Sequence, residues 1–501
     1  MVLIDAVIIV LYLVGCVTIG LLARGRQQNA DDYFTAGGGL GSMFGTVLVG
    51  LSIAATLFSG ISFMTYPSVT YSTGILLAVG VTVVCMPMSY IVLRFWFLPR
   101  YLALGCRYPY EVVEMRFGSS ARTFAAAMFV AMRIGWMAAM VFAPTMAILA
   151  MTRLDADRWF WPLVLATGLS STLYAVFSGI RGVIVTDAIQ FVVLAAGILV
   201  TISYALGHLT VPISTAWEQL GEAGRLNVLD FSLDPTKGIT IWTVIIGVTI
   251  ANLANYIGDQ MSLQRYLATG DVKAASRSFL INVLGVMIVL ALLAGVGLSL
   301  FVFYHNVHDP NLPARADKVF PYFVAHRLPP GLSGLLLAAI LAATMSSMTS
   351  GINALSGVIT LDFAGRYGPQ LSERAQLRLA RISSLLIGIC ATLAAGLVAN
   401  LGTLFELTQV LLGVFAGPLL ACIAAGTAGF RCFGRFMILG MFCGWLAGGI
   451  VALTPIAALW VAPVATVTTL IVAYGSSRLF GRFIATTPPK RFALIQPEHV
   501  E

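Results

Sequence analysis

Apolar residues run in long blocks from one end of the chain to the other, parted by short polar connections. The segments fall at 2–22, 41–66, 73–98, 121–150, 158–178, 186–207, 239–262, 279–304, 331–360, 382–400, 402–428, 433–454 and 456–477. A helix of about 20 residues spans the hydrocarbon core of a bilayer, and these blocks have that length. A transmembrane barrel would instead show alternating segments of about ten residues. The pattern therefore predicts an all-α polytopic membrane protein with thirteen crossings, housed in the lipid bilayer. Two blocks are interrupted. The second reads GTVLVGLSIAATLFSGISFMTYP (45–67), with Gly, Ser and Thr through its middle. The seventh reads TVIIGVTIANLANYIGDQMSLQRY (243–266), with Asn252, Asn255, Gly258 and Asp259 where hydrocarbon is expected. Unwound backbone at membrane depth is tolerated only where protein buries it or a cavity hydrates it. Interrupted helices at matching places in two halves point to a binding site at the bilayer midplane. A repeat of five helices, being odd, would set the halves in opposite orientations.

Polar residues inside the ninth block sharpen the picture. Residues 343–350 read ATMSSMTS. On a helix Ser346, Thr349 and Ser350 share one face, with Ser347 turned about 100° from Ser346. A hard monovalent cation such as sodium is held by several neutral or lightly charged oxygens. One oxygen set can be drawn from the Ala343 carbonyl, Ser346 and Ser347; an overlapping one from Ser346, Thr349 and Ser350. The plainer alternative is that each hydroxyl bonds back to its own helix. Asp187, in GIRGVIVTDAIQ (179–190), stands just inside the sixth block. A carboxylate at that depth costs roughly 2.5–3.5 kcal/mol on insertion scales, so it needs a partner. A cation on the second oxygen set is one candidate and Arg181 is the other.

Charge confirms the class and adds orientation. Charged residues are 10% of the 501 and mean hydropathy is +0.92, whereas a soluble domain is about one-quarter charged. With the N-terminus outside, 21 of the 29 Lys and Arg fall in cytoplasmic connections, seven outside, and Arg133 within a block. That bias fits an N-out, C-in topology and explains the net charge of +8 without a nucleic-acid partner. The seven cysteines lack metal-ligand spacing, and LVGC at 13–16 sits in what reads as an uncleaved first helix. No His cluster, nucleophile motif or phosphate loop suggests an enzyme, and no obligate protein partner is implied. Residues 1–480 read as one transmembrane domain and 481–501 as a cytoplasmic tail.

The stretches DDYFTAGGG (31–39), GIRGVIVTDAIQ, QRYLAT (264–269) and LLAAILAATMSSMTSGINALS (335–355) together resemble the sodium:solute symporter family over nearly the whole chain. The resemblance implies the LeuT-type fold of two inverted five-helix repeats, helices 2–6 and 7–11, with helix 1 and helices 12–13 peripheral. It implies a common sodium site from backbone oxygens of Ala55, Phe58 and Ala343 with Ser346 and Ser347. A second sodium site, present in some members, would use Asp187, Ser346, Thr349 and Ser350. FSGISFMTYPSVTY (58–71) and FAPTMAIL (142–149) look most like the branch carrying sialic acids, monocarboxylates and vitamins. The Arg that sialic-acid members place in helix four is Trp136 here, and a Gln in helix three is Val81. Arg133, one turn away, can clamp a substrate carboxylate in another register, or pair with a helix-end carbonyl or Asp187. Expected substrate contacts are Thr56, Ser59, Gly60, Ser62, Arg133, Trp136, Asn252, Asn255 and Tyr256, with Tyr256 as an inner gate. The expectation is a Na+-coupled symporter (one or two ions) for a small, carboxylated solute in the cell membrane. A proton-coupled transporter with Asp187 as carrier, or a sensor or passive channel on the same fold, are the alternatives.

Overall fold

The computed structural model describes residues 3–25, 27, 29–106, 108–152, 154–365, 371–397 and 404–484. Among these residues the chain is helical, without strands. The membrane helices are α1 (Leu3–Ala23), α2 (Met43–Leu57), α3 (Gly60–Thr73), α4 (Leu76–Ala103), α5 (Ser119–Thr152), α6 (Ala156–Gly207) and α7 (Thr243–Gly258). They continue as α8 (Gln260–Thr269), α9 (Val272–Asn306), α10 (Leu332–Ala364), α11 (Glu373–Leu397), α12 (Leu404–Thr427), α13 (Gly434–Ala452) and α14 (Val461–Ile484). Among the described residues, ten are long and apolar enough to cross a bilayer singly. Each of the thirteen apolar segments meets one or more of these helices. The fifth and sixth lie in α6, which bends at Gly179 (φ 58°, ψ −171°). Only glycine adopts that conformation readily, and a methyl group there would press on Gln27 and Tyr33. The expected tail beyond residue 480 begins as the end of α14; residues 485–501 lie outside the described residues.

Both interrupted segments break, and both restart by the same device. α2 ends at Phe58 (φ −90°, ψ 96°), and Ser59 then caps α3 by accepting from the Ser62 amide. α7 ends before Asp259 (φ −99°, ψ 126°), whose carboxylate caps α8 by accepting from the Met261 amide at 2.9 Å. An extended residue followed by a capping oxygen satisfies the first free amides of the new helix.

Burial places α10 at the centre: 94% of its apolar stretch is buried, against 11% for α1. α10 therefore carries its small and hydroxylated residues among other helices. Outward faces elsewhere carry exposed large apolar side chains, such as Leu22, Val83, Phe95, Val192, Ile288 and Ile471, as a lipid-facing surface does. α1 is nonetheless tied to the centre. The Asp5 carboxylate accepts from the amides of Gly331 (2.8 Å) and Gly334 (2.9 Å), capping α10 from a neighbouring helix.

Candidate functional site

The break in α2 leaves carbonyls without helical partners, since the last turn of any helix has no amides above it. The Phe58 amide still serves Ala54. The next two carbonyls are met by α10: Ser346 Oγ donates to the Ala55 oxygen at 3.0 Å and Ser347 Oγ to the Thr56 oxygen at 3.0 Å. Ser346 also reaches the Ala343 carbonyl at 3.0 Å. Ala55, Ala343, Ser346 and Ser347 are thus brought together as expected, with Thr56 added; Phe58, at the break, lines the adjoining cavity. The oxygens sit at the negative end of the α2 dipole, where a cation is favoured.

One turn further along α10 stands a charged cluster. Asp187 Oδ2 accepts from Ser52 Oγ (2.7 Å), Ser350 Oγ (3.3 Å) and Arg265 Nη2 (2.9 Å). Arg265 also donates to Ser52 (2.8 Å), Thr56 Oγ1 (2.9 Å), Ser350 (2.5 Å) and the Met261 carbonyl (2.9 Å). Asp187 Oδ1 is buried with no hydrogen-bond partner among the described residues. Of the second expected ion set, Asp187 and Ser350 meet. Ser346 belongs to the first set, and Thr349 turns to Tyr174, accepting from its hydroxyl at 3.1 Å.

Two expectations are corrected here. The arginine paired with Asp187 is Arg265 and not Arg181, which is exposed. Arg265 counted as a cytoplasmic charge from sequence, yet its side chain is 1% exposed. It follows the break at Asp259 on a short polar helix, which reads as a surface connection but packs inside. Arg133 is accordingly not the sole buried cation of the membrane segments.

Arg133 pairs with Asp259, the cap of α8, and lies over the Phe129 ring. Among the described residues its ionic partner is thus Asp259 and not Asp187. Beside this pair is a cavity of ≈ 120 Å³ lined by Thr56, Ser59, Ser62, Trp136, Asn252 and Asn255. Arg133, Asp259 and Arg265 also face it. The N-termini of α3 and α8 both open here, a positive setting for an anion.

Gly60 and Tyr256 do not belong to this wall. Gly60 faces Pro144 and Thr344, which a methyl group would strike, so its role is close helix contact. Tyr256 turns to α9: its hydroxyl accepts from Asn282 Nδ2 at 3.1 Å, and its ring stands edge-on to Phe279 at 4.7 Å. Its hydroxyl also lies 3.7 Å from the Met86 sulfur, and Met86 lines the cavity, so Tyr256 stands behind that wall. A π-helical turn over Ala254–Gly258 shifts the helical phase, so Asn255 and Tyr256 face differently from a regular helix.

A family model described as "Sodium:solute symporter family" matches residues 33–444. The chain belongs to the sodium:solute symporter family. This symporter-family chain is 30% identical to the sodium/iodide cotransporter of Homo sapiens over 416 residues, 81% of this chain and 62% of that protein. It is also 30% identical to sodium-coupled monocarboxylate transporter 1 of Homo sapiens over 409 residues, 81% and 65% of the respective chains. It spans less than two thirds of the length of these curated relatives. Its fold matches the outward-open, substrate-bound structure of a Na+-coupled sialic acid symporter with TM-score 0.86 and 24% identity, covering 98% and 100% of the two chains. A nucleobase-cation-symport-1 family transporter in a closed conformation matches with TM-score 0.56 and 14% identity, covering 87% and 93%. The fold is LeuT-type, and the protein is a multi-pass membrane protein.

Sequence reading of this symporter-family site missed Asp259 as the partner of Arg133, Arg265 as the partner of Asp187, and Tyr66, Ser262, Thr408 and Gln409 as lining residues. Asp259 carried a signal, being a carboxylate at membrane depth. Thr408 and Gln409 come from α12, whose approach no local pattern announces.

Proposed function

We propose that this chain is a Na+-coupled secondary symporter that imports a small carboxylated solute by alternating access across the cell membrane. The observation that carries the reading is the junction of α2 and α10. Two orphan carbonyls at a helix break face two hydroxyls at 3.0 Å, a ready oxygen set for a hard monovalent cation. Sodium there ties the broken helix to the central one and favours the state that binds solute. Thirteen crossings with N-out and C-in, a 1–480 transporter domain of inverted repeats 2–6 and 7–11, and a short cytoplasmic tail complete the proposal.

For the solute, Arg133 supports a carboxylate. The guanidinium is pinned by Asp259 and presented beside a cavity bearing Asn252, Asn255, Ser59 and Ser62. Both curated relatives named above carry monoanions by their names, iodide and a monocarboxylate. Trp136, packed on Ile61 and Met140, supplies an apolar wall for a short aliphatic body.

Ion number turns on Asp187. Its unpartnered Oδ1 offers an acceptor for a second sodium, while Arg265 on Oδ2 already supplies one positive charge and favours a one-ion cycle. Charge arithmetic separates these. Two sodium ions with a monoanion move one net charge, about 2.3 kcal/mol per 100 mV, while one ion with a monoanion is electroneutral. Uptake into proteoliposomes with sodium, choline and an imposed potential tests the whole proposal. Uptake that sodium drives supports it, and potential dependence reports two ions. Uptake equally fast in choline, or driven by a proton gradient alone, refutes it.

A further inference from the structure

Below the charged cluster lies a group of buried amides that the proposed ion sites do not use. Among the described residues, Gln260 Oε1, Gln264 Oε1, and both Asn353 Oδ1 and Nδ2 have no hydrogen-bond partner, and each residue is about as buried as a side chain gets, at 1% exposure. Buried polar atoms are almost always paired, and an orphan asks for a reason. Their positions supply one. Ser346, Ser350, Asn353 and Gly357 occupy one face of α10, a stripe about 16 Å long that begins at the first oxygen set. α8 packs against its lower half. Gln260 Nε2 donates to the Ala354 carbonyl at 3.3 Å, and a methyl group added at Gly357 would lie 2.9 Å from Gln264 Nε2 and 3.2 Å from Gln260 Nε2. The missing side chain at Gly357 therefore makes room for two amides. At the far end the same methyl would meet Phe34 Cδ1 at 3.5 Å, so an apolar ring closes the seam.

Resting on the Na+-coupling reading, we propose that the α8–α10 seam, lined by Asn353, Gln260 and Gln264 and closed by Phe34, is the path by which the cation leaves toward the C-terminal end of α10. Neutral amide oxygens suit a departing monovalent ion: they replace water without the grip of a carboxylate. Ser346 and Ser347 hold the ion, the amides pass it on, and Phe34 moves aside in the inward-open state. Charge bias assigns that end of α10 to the cytoplasm.

The test uses 22Na+ exchange at equal sodium in proteoliposomes, alongside sodium-dependent thermal stabilisation of the same purified protein. Asn353→Leu and Gln264→Met keep shape and remove the amide. Exchange slows by about tenfold in each, as expected for losing one oxygen contact to a charged group, while the sodium concentration for half-maximal stabilisation moves less than about twofold. Gln264→Asn restores the rate. Wild-type exchange rates with equal or higher thermal midpoints overturn the path, because dry orphan amides replaced by apolar isosteres leave transport alone. A large loss of equilibrium sodium affinity also overturns it, since the amides then belong to a holding site. Should the leucine variant not fold, Asn353→Cys is treated with a small methanethiosulfonate and the peptide weighed. Modification slowed by sodium supports the path, and no modification overturns it. Wild-type protein that neither binds nor exchanges sodium sinks the coupling reading itself, a result distinct from both.

Discussion

Replacing Arg265 by methionine probes the charged cluster most directly. The guanidinium makes contacts with Asp187, Ser52, Thr56, Ser350 and the Met261 carbonyl, all between 2.5 and 2.9 Å. Its side chain is 1% exposed and that of Asp187 is fully buried. Breaking one partner of such a pair costs about 3–5 kcal/mol, because the remaining charge is stranded in low dielectric. If Asp187 Oδ1 is a sodium acceptor, the stranded carboxylate then holds the ion alone instead of sharing it with a guanidinium. Sodium at a hundredfold excess over its dissociation constant returns about 2.7 kcal/mol, more than half of the smaller estimate of the loss. The assay is thermal unfolding in detergent with NaCl titrated against choline chloride at fixed ionic strength. The variant should start well below wild type and gain more from sodium than wild type does. Adding Asp187→Asn should abolish that excess. A sodium-induced shift in Arg265→Met no larger than in wild type refutes the reasoning, and Asp187 is then a structural counter-ion.

Other outcomes follow from the same geometry. Ser346→Ala strips the hydroxyl from the Ala55 and Ala343 carbonyls, and the orphaned carbonyl costs about 1–3 kcal/mol; the sodium concentration for half-maximal uptake should rise about tenfold or more. Asp259→Asn keeps a capping oxygen for α8 but releases Arg133, so carboxylates should stabilise this variant against heat more than they stabilise wild type. Gly60→Ala drives a methyl into Pro144 and Thr344 and should lower stability by about 1–3 kcal/mol, read as a lower thermal midpoint without a change in sodium dependence. Tyr256→Phe, lacking the oxygen that Asn282 bonds, should change stability slightly and leave solute affinity alone, because the ring does not face the cavity.

The membrane class, the two breaks and the hydroxyl turn were legible because polar atoms in hydrocarbon are expensive and stand out in the chain. Ser346 and Ser347 were found this way, as were Asp187 and Arg133. What lay beyond reach shares one cause. Helical phase carries facing information only while the helix is regular. Past the extended residue at Asp259 the face of α8 is reset, so Arg265 read as a surface charge and its pairing with Asp187 was invisible. The π-helical turn before Gly258 likewise rotated Tyr256 away from the wall it was expected to join. Pairings across distant segments, such as Arg133 with Asp259, need the packing itself.

The carboxylate of Asp5 joins the outermost span to the innermost one. Since it holds the leading amides of α10, the first span and the hydroxyl-bearing span behave as one mechanical part. Any rocking that opens a passage beside α10 must turn about this coupled pair or drag both together. Shearing α1 away would leave the Gly331 and Gly334 amides at the start of the hydroxyl-bearing span without an acceptor. The lipid-facing helix thus serves as an external handle on the deepest element of the protein, where a probe fixed to it would register the movement of the centre.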